Sequence, residues 1–148
     1  MEKRRWRMKK RIVFMLTMLV LSGCSGMSLV NGYSPSDRDV INKHGEIKNL
    51  ELFMDFKENA EKGIKDKIRI VSYTTEGDPM IQDLEFDGKV IKSRFDGTRD
   101  QFGKEEVTYA SCKTIEKSEQ QESTEYILKQ CGKDNGESTV LTIREQKR

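Results

Sequence analysis

Apolar positions along the chain follow three successive patterns. Ile12–Leu21 is a short, almost unbroken apolar run of 10 residues. A membrane-spanning helix needs about 20. Further on, Leu50, Phe53, Phe56 and Ala60 recur at helical spacing. Leu52 lies at the edge of this stripe, with Glu51, Asp55, Glu58 and Lys62 on the other side. The pattern predicts an amphipathic helix whose Phe stripe is core. Asn49 stands at its N-cap, Gly63 at its stop, and Glu58 and Lys62 form an i, i+4 pair in the favourable order.

Beyond Gly63 the period drops to 2. Ile68 and Ile70 alternate with Lys67 and Arg69 in a strand over 67–74, with Val71 and Tyr73 on its other face. Glu76-Gly77-Asp78-Pro79 reads as a turn. Strands 81–86 and 89–95 flank Asp87-Gly88, a hairpin signal that pairs Leu84 with Ile91 and Met80 with Phe95. After the loop 96–103, strands 107–116 and 126–131 face each other across a polar stretch. Centring that stretch between Gln121 and Glu122 sets Ile115 opposite Leu128 and Cys112 opposite Cys131. Asn135-Gly136 marks a last turn, pairing Leu128 with Ile143 and Gln130 with Leu141, and the last strand covers 138–144. Residues 39–45 fit either a short strand or a single helical turn. The expected fold is α+β, one main helix on an antiparallel meander of about six strands, because closely spaced hairpins favour antiparallel pairing.

The N-terminus changes how the composition is read. Lys3, Arg4, Arg5, Arg7, Lys9, Lys10 and Arg11 precede the apolar run, and Leu21-Ser22-Gly23-Cys24 follows it. Basic head, apolar middle, small residues and cysteine resemble the export signal and lipobox of bacterial lipoproteins. That resemblance implies cleavage before Cys24, lipidation of Cys24, and anchoring on the extracytoplasmic face of the cell membrane. Each buried acyl CH₂ contributes about 0.8 kcal/mol. Residues 24–38, rich in Ser, Gly and Asn, then read as a flexible tether, and 39–148 as one domain. Of 27 basic and 25 acidic side chains, residues 1–23 hold 7 and 1. The remainder therefore carries 20 and 24, a net of −4. The basicity of the whole chain is a targeting feature, and no basic excess remains to neutralise the phosphates of a nucleic acid.

With Cys24 assigned to lipid, Cys112 and Cys131 are left as a pair outside the cytosol, where disulfides persist. Their separation of 19 residues and their strand positions favour a staple over a redox couple. No CxxC spacing exists and His44 is the only histidine, so no metal is expected. His44, beside Gly45, reads as a turn or surface residue, and no hydrolytic motif accompanies it. Asp96-Gly97-Thr98-Arg99-Asp100 lacks the spacing of a calcium loop and reads as an internal Asp–Arg lock. Glu76, Asp78, Asp83, Glu85 and Asp87 cluster in sequence, and short spacing does not say whether any two converge as a glycosidase pair requires.

Several runs resemble one family. They are Asn42-Lys43-His44-Gly45-Glu46-Ile47, 66–79 with its Ser72-Tyr73-Thr74-Thr75-Glu76-Gly77-Asp78-Pro79 end, Asp83-Leu84-Glu85-Phe86-Asp87-Gly88, and Thr98-Arg99-Asp100-Gln101-Phe102-Gly103. They are similar to small lipoproteins of Bacillus and its relatives that carry a domain of unknown function (DUF4362). The resemblance implies a Gram-positive host and transfers no catalytic residue. The reading is a monomeric, non-enzymatic envelope module without cofactor, whose partner is an envelope protein or peptide. Its candidate interaction loops hold Gly77, Asp78 and Pro79, and Arg99 and Asp100. The alternative is a small-ligand or hydrolytic site between helix and sheet.

Overall fold

The Phe stripe folds as its spacing requires. In the computed structural model, which describes residues 33–144, helix α1 spans Leu50–Glu61 and buries Phe53 and Phe56. Gly63, at φ 75°, ends it: Gly63 N–H donates to Ala60 O and Ile64 N–H to Asn59 O, a Schellman closure. Lys62 pairs with Glu58, and Lys57 with Glu61. The N-cap differs from expectation. Asn49 is left-handed (φ 56°) and its side chain makes no cap bond. Its Nδ2 donates instead to the carbonyls of Asp37 (3.1 Å) and Asp39 (2.8 Å). The helix start is therefore tied to the preceding segment.

Among the described residues nine strands form two sheets. β1 (Val40–Lys43), β2 (Glu46–Lys48), β3 (Asp66–Tyr73), β4 (Pro79–Phe86), β5 (Ile91–Asp96) and β6 (Val107–Cys112) form the first, in the order β2-β1-β3-β4-β5-β6. β7 (Thr114–Glu119), β8 (Ser123–Cys131) and β9 (Gly136–Arg144) form the second. The α+β class holds, and the single antiparallel meander does not. β1 runs parallel to β3, Val40 opposite Ile70 and Ile41 opposite Val71. The intervening hairpin and helix supply the crossover length that parallel pairing needs. The ambiguous residues 39–45 thus hold a strand. It is followed by a turn in which His44 (φ 55°) and Gly45 (φ 100°) both take positive φ, as a type I′ hairpin demands. Any other residue at Gly45 is strained, since its φ disfavours a side chain and an added Cβ would meet the Arg144 side chain at 2.9 Å.

Two registers move. Asp87 Oδ1 accepts from the amides of Lys89 and Val90, and these bonds with Lys92 hold its carboxyl down at about 2. The turn accordingly takes four residues, and Leu84 meets Ser93 while Phe86 meets Ile91. The even shift keeps every side chain on its expected face. In the last hairpin Tyr126 faces Leu141 and Leu128 faces Ser138, not Ile143, because bulges interrupt the ladder and Gln130, Gly132 and Asn135 take positive φ. The β7–β8 register is as expected, with Ile115 opposite Leu128. The expected strand 107–116 breaks at Lys113, where the chain passes from one sheet to the other. The Cys112–Cys131 disulfide closes that junction.

Phe53, Phe56, Ile70, Leu84 and Ile91 share one core with Ile115, Tyr126, Leu128, Val140 and Leu141 of the second sheet. Helix and small sheet together cover the inner face of the large one. Residues 33–38, expected within the tether, are held to the domain. Tyr33 OH donates to Asp39 Oδ2 at 2.7 Å, and Ser36 donates to the same carboxylate through N–H and Oγ.

Candidate functional site

Alternation along β3, β4, β5 and β6 sends every second side chain to the outer face, away from the helix. Register then aligns charges that are distant in sequence. Arg69 lies opposite Asp83, Asp83 opposite Arg94, and Arg94 opposite Tyr109. Arg69 grips Asp83 through two bonds, Nε to Oδ1 (2.6 Å) and Nη2 to Oδ2 (3.1 Å). Arg94 reaches Asp83 at 3.5 Å and Asp96 at 2.9 Å. Arg99 Nη1 donates to Asp96 at 3.3 Å, and its guanidinium lies 5.9 Å from the centre of the Tyr33 ring. Tyr33 also contacts Arg69, so the chain of contacts closes on itself. Asp83 lifts the Arg69 pKa well above the usual arginine value. Burial, reinforced by Asp39, raises the Tyr33 phenol.

Beside this network lies a groove of about 960 Å³ whose floor is the middle of the outer face. Arg38, Lys67, Arg69, Lys92 and Arg94 border it, and Tyr109, 75 % exposed, forms one rim. The signal for this face was present in the sequence as charges at alternate positions. Aligning them required the true β4–β5 register, since the two-residue turn would set Asp83 against Lys92.

Asp96 is the network's anchor. Thr98 donates to Oδ1 through Oγ1 (2.6 Å) and N–H (3.1 Å). The Thr98 hydroxyl, then Arg94, holds the carboxyl far below the usual aspartate range. Its side chain is 10 % exposed. Asp96→Asn is expected to cost about 2 kcal/mol at pH 7, the scale of buried hydrogen bonds to charged groups. The folded-state pKa is depressed, so the stabilisation is complete above the unfolded aspartate value of about 3.9. It is lost as pH falls below that value. Urea unfolding at pH 7 and pH 3 should show a clear gap between wild type and variant at the higher pH and a narrower one at the lower. An unchanged gap would remove the assignment.

The candidate interaction loops adjoin each other. Asp78, 5 % exposed, accepts from Gln101 N–H at 2.9 Å, and Pro79 is buried where β4 begins. Gly77, at φ 95°, makes the turn before them. Asp100 Oδ1 accepts from the amides of Phe102 (3.1 Å) and Gly103 (2.9 Å). Arg99 is engaged with Asp96, the lock expected from the sequence. Asp78, Arg99 and Asp100 thus serve largely to hold the loops in shape. What they hold out is Phe102, 79 % exposed. The sequence marked the loop but not this ring, whose apolar character alone does not distinguish exposed from buried.

Of the carboxylates that cluster in sequence, Asp83 and Glu85 share the outer face and border the groove, while Asp78 and Asp87 lie outside its lining. Asp83 is on the outer face, Asp78 in the loop contact and Asp87 in the hairpin turn. His44 is an exposed turn residue at the mouth of a second cavity of about 590 Å³, between β9 and the inner face of the large sheet. The helix–sheet interface is filled by Phe53, Phe56, Ile70 and Leu84, each at most 1 % exposed. Neither cavity is lined by α1. Among the described residues no three of His, Cys, Asp and Glu converge as a metal set. No helix among them is long and apolar enough to cross a membrane. Cys24 lies outside the described residues.

These features define a small α+β domain with a charged outer sheet face, a braced loop pair and an inter-sheet disulfide. The sequence profile of the family described as a domain of unknown function (DUF4362) matches residues 37–127, and the chain belongs to that family. No curated protein and no solved structure matches it.

Proposed function

We propose that this protein is a lipid-anchored extracytoplasmic lipoprotein whose domain is a non-enzymatic binding module, presenting the loop 97–106 to an envelope protein or peptide. The observation that carries the binding role is Phe102, a ring 79 % exposed on a loop braced by Asp78 and Asp100. An aromatic side chain displayed on a preordered backbone is an efficient interface anchor, since little freedom remains to be lost on binding. The anchor rests on Leu21-Ser22-Gly23-Cys24 and the basic and apolar segments before it. The Cys112–Cys131 disulfide supports an oxidising compartment.

Two measurements test the reading. A palmitate analogue fed to cells should label wild type and leave Cys24→Ala unlabelled; equal labelling of both refutes the anchor. Crosslinking in intact membranes should then recover a protein partner with wild type that Phe102→Ala loses at least tenfold, with the fold intact by circular dichroism. Equal recovery with Phe102→Ala and with an Arg99→Ala, Asp100→Ala variant would remove the loop from the interface.

A further inference from the structure

The inner face of the large sheet is filled at one end and open at the other. Ile70 and Leu84 pack in the core with Phe53 and Phe56. Alternation places Met80 and Phe95 further along the same face, and both stay half-buried. They floor the cavity of about 590 Å³ beside β9. That volume falls within the range of small-molecule sites, about 300–1,000 Å³.

The wall raised by the small sheet carries two charges of opposite sign. Glu125 lies opposite Thr142, and Arg144 follows two residues later on the same face. As diagonal cross-strand neighbours their Cβ atoms stand about 7–8 Å apart. Both line the cavity, and neither joins an ion pair among the described residues. Glu125 is half-buried. A carboxylate drawn out of water without a partner is costly, and a cation entering the cleft offsets that cost. Arg144 is positioned by its neighbour. A Cβ at Gly45 would lie 2.9 Å from Arg144 Cβ and Cγ and 3.1 Å from Cδ. The glycine that the β1–β2 turn requires therefore also leaves room for the arginine stem at the mouth of the cavity.

From this arrangement we infer that the cleft binds a small zwitterion with an apolar side chain, a hydrophobic amino acid or a dipeptide. Its ammonium meets Glu125, its carboxylate meets Arg144, and its side chain lies over Met80 and Phe95. Charge complementarity selects this class. A simple anion would be repelled by Glu125 and a simple cation by Arg144. A neutral apolar molecule would strip water from both charges and return nothing to either. A zwitterion gives each a charge-assisted hydrogen bond, the stronger kind. The site shares no residue with the loop 97–106, so it goes beyond the proposed interface and stands or falls independently of it.

The test is a titration of the full chain, as isolated from cells, with leucine and with leucyl-leucine. The methyl resonance of Met80 is the local reporter. At least one probe is expected to shift that resonance saturably, and glycyl-glycine, lacking the side chain, should bind at least tenfold more weakly. Acetylating the amine of the binding probe, or amidating its carboxylate, should each weaken it at least tenfold, the scale of a hydrogen bond to a charged group. Two variants locate those losses. Glu125→Gln should bind the unblocked probe at least tenfold more weakly and no longer distinguish it from the acetylated one. Arg144→Gln should do the same with the amidated one. Circular dichroism should show both variants folded, since neither side chain belongs to the core. The blocked probes question the wild type itself, without any substitution. No saturable shift with either probe at about 10 mM, equal affinity for free and blocked probes, or blocking losses that persist in both variants would each overturn the site.

Discussion

Phe53→Ala is expected to destabilise the domain by about 4 kcal/mol, the range for deleting a fully buried ring. Phe53 is 0 % exposed and joins three elements. It projects from α1 onto the inner face of the large sheet, and its ring meets Tyr126 of the small sheet edge-on, with centroids 4.9 Å apart. Tyr126 OH in turn donates to Met54 Sδ at 3.5 Å. Removing the ring opens a cavity within the core that the helix and both sheets share, so neighbours can fill it only by displacing one another. A loss of that size should lower the melting temperature by about 15 °C or more for a domain of this length. Phe102→Ala removes the same atoms from a site 79 % exposed and should stay within about 0.5 kcal/mol of wild type. Thermal and urea unfolding of the two variants side by side decides the matter. A Phe53→Ala loss below about 1 kcal/mol would mean that the three elements do not depend on this contact.

The helix was legible in the sequence because its signal is local. Phe53, Phe56 and the stop at Gly63 lie within a few turns of one another, and no distant partner changes their meaning. The faces of β3, β4 and β5 were legible for the same reason, since alternation survives an even register error. What failed was whatever depends on a turn's length or on a partner far along the chain. Asp87-Gly88 carries the dipeptide of a two-residue turn, but the Asp87 side chain captures two amides and widens it. Asn135-Gly136 suggests a tight turn, while Gln130 and Gly132 have already left the strand conformation. The parallel pairing of β1 with β3 is absent from any local pattern. Val40 and Ile41 are apolar on both faces, which fits an inner strand, but nothing within residues 39–45 says which strand lies beside them.

The candidate site shows the same division. The loops holding Asp78 and Arg99 were marked by turn chemistry, and turn chemistry is what those two residues carry out. The charged ladder from Arg69 to Tyr109 crosses four strands and exists only once three registers are correct. A net charge of −4 for residues 24–148 says nothing of this ladder, because a sum over a chain carries no positions.

The second large effect concerns the disulfide. Breaking Cys112–Cys131 is expected to cost about 3 kcal/mol, the loop-closure scale for a crosslink of this span. The site gives the bond more to hold than its span alone suggests. Lys113 is the single residue between β6 and β7, so the chain changes sheets there with almost no backbone of its own. Two further contacts brace the crossing, Lys113 N–H to Lys129 O (3.0 Å) and Gly132 N–H to Ser111 O (2.9 Å). The cleaner variant is Cys112→Ala with Cys131→Ser. Position 112 is fully buried and would strand a serine hydroxyl, whereas position 131 is only partly buried. Urea unfolding of oxidised wild type, reduced wild type and the double variant should give one high midpoint and two similar low ones. Amide exchange should rise first in β7, β8 and β9, which lose their cross-link to the large sheet and keep only the backbone connection at Lys113. A reduced midpoint within about 0.5 kcal/mol of the oxidised one would show that the two backbone contacts and the shared core suffice. Small domains retain only about 5–15 kcal/mol in total. A chain kept in a reducing compartment would thus lack a sizeable share of its stability. Export before folding, as proposed above, would place the domain where that share is available.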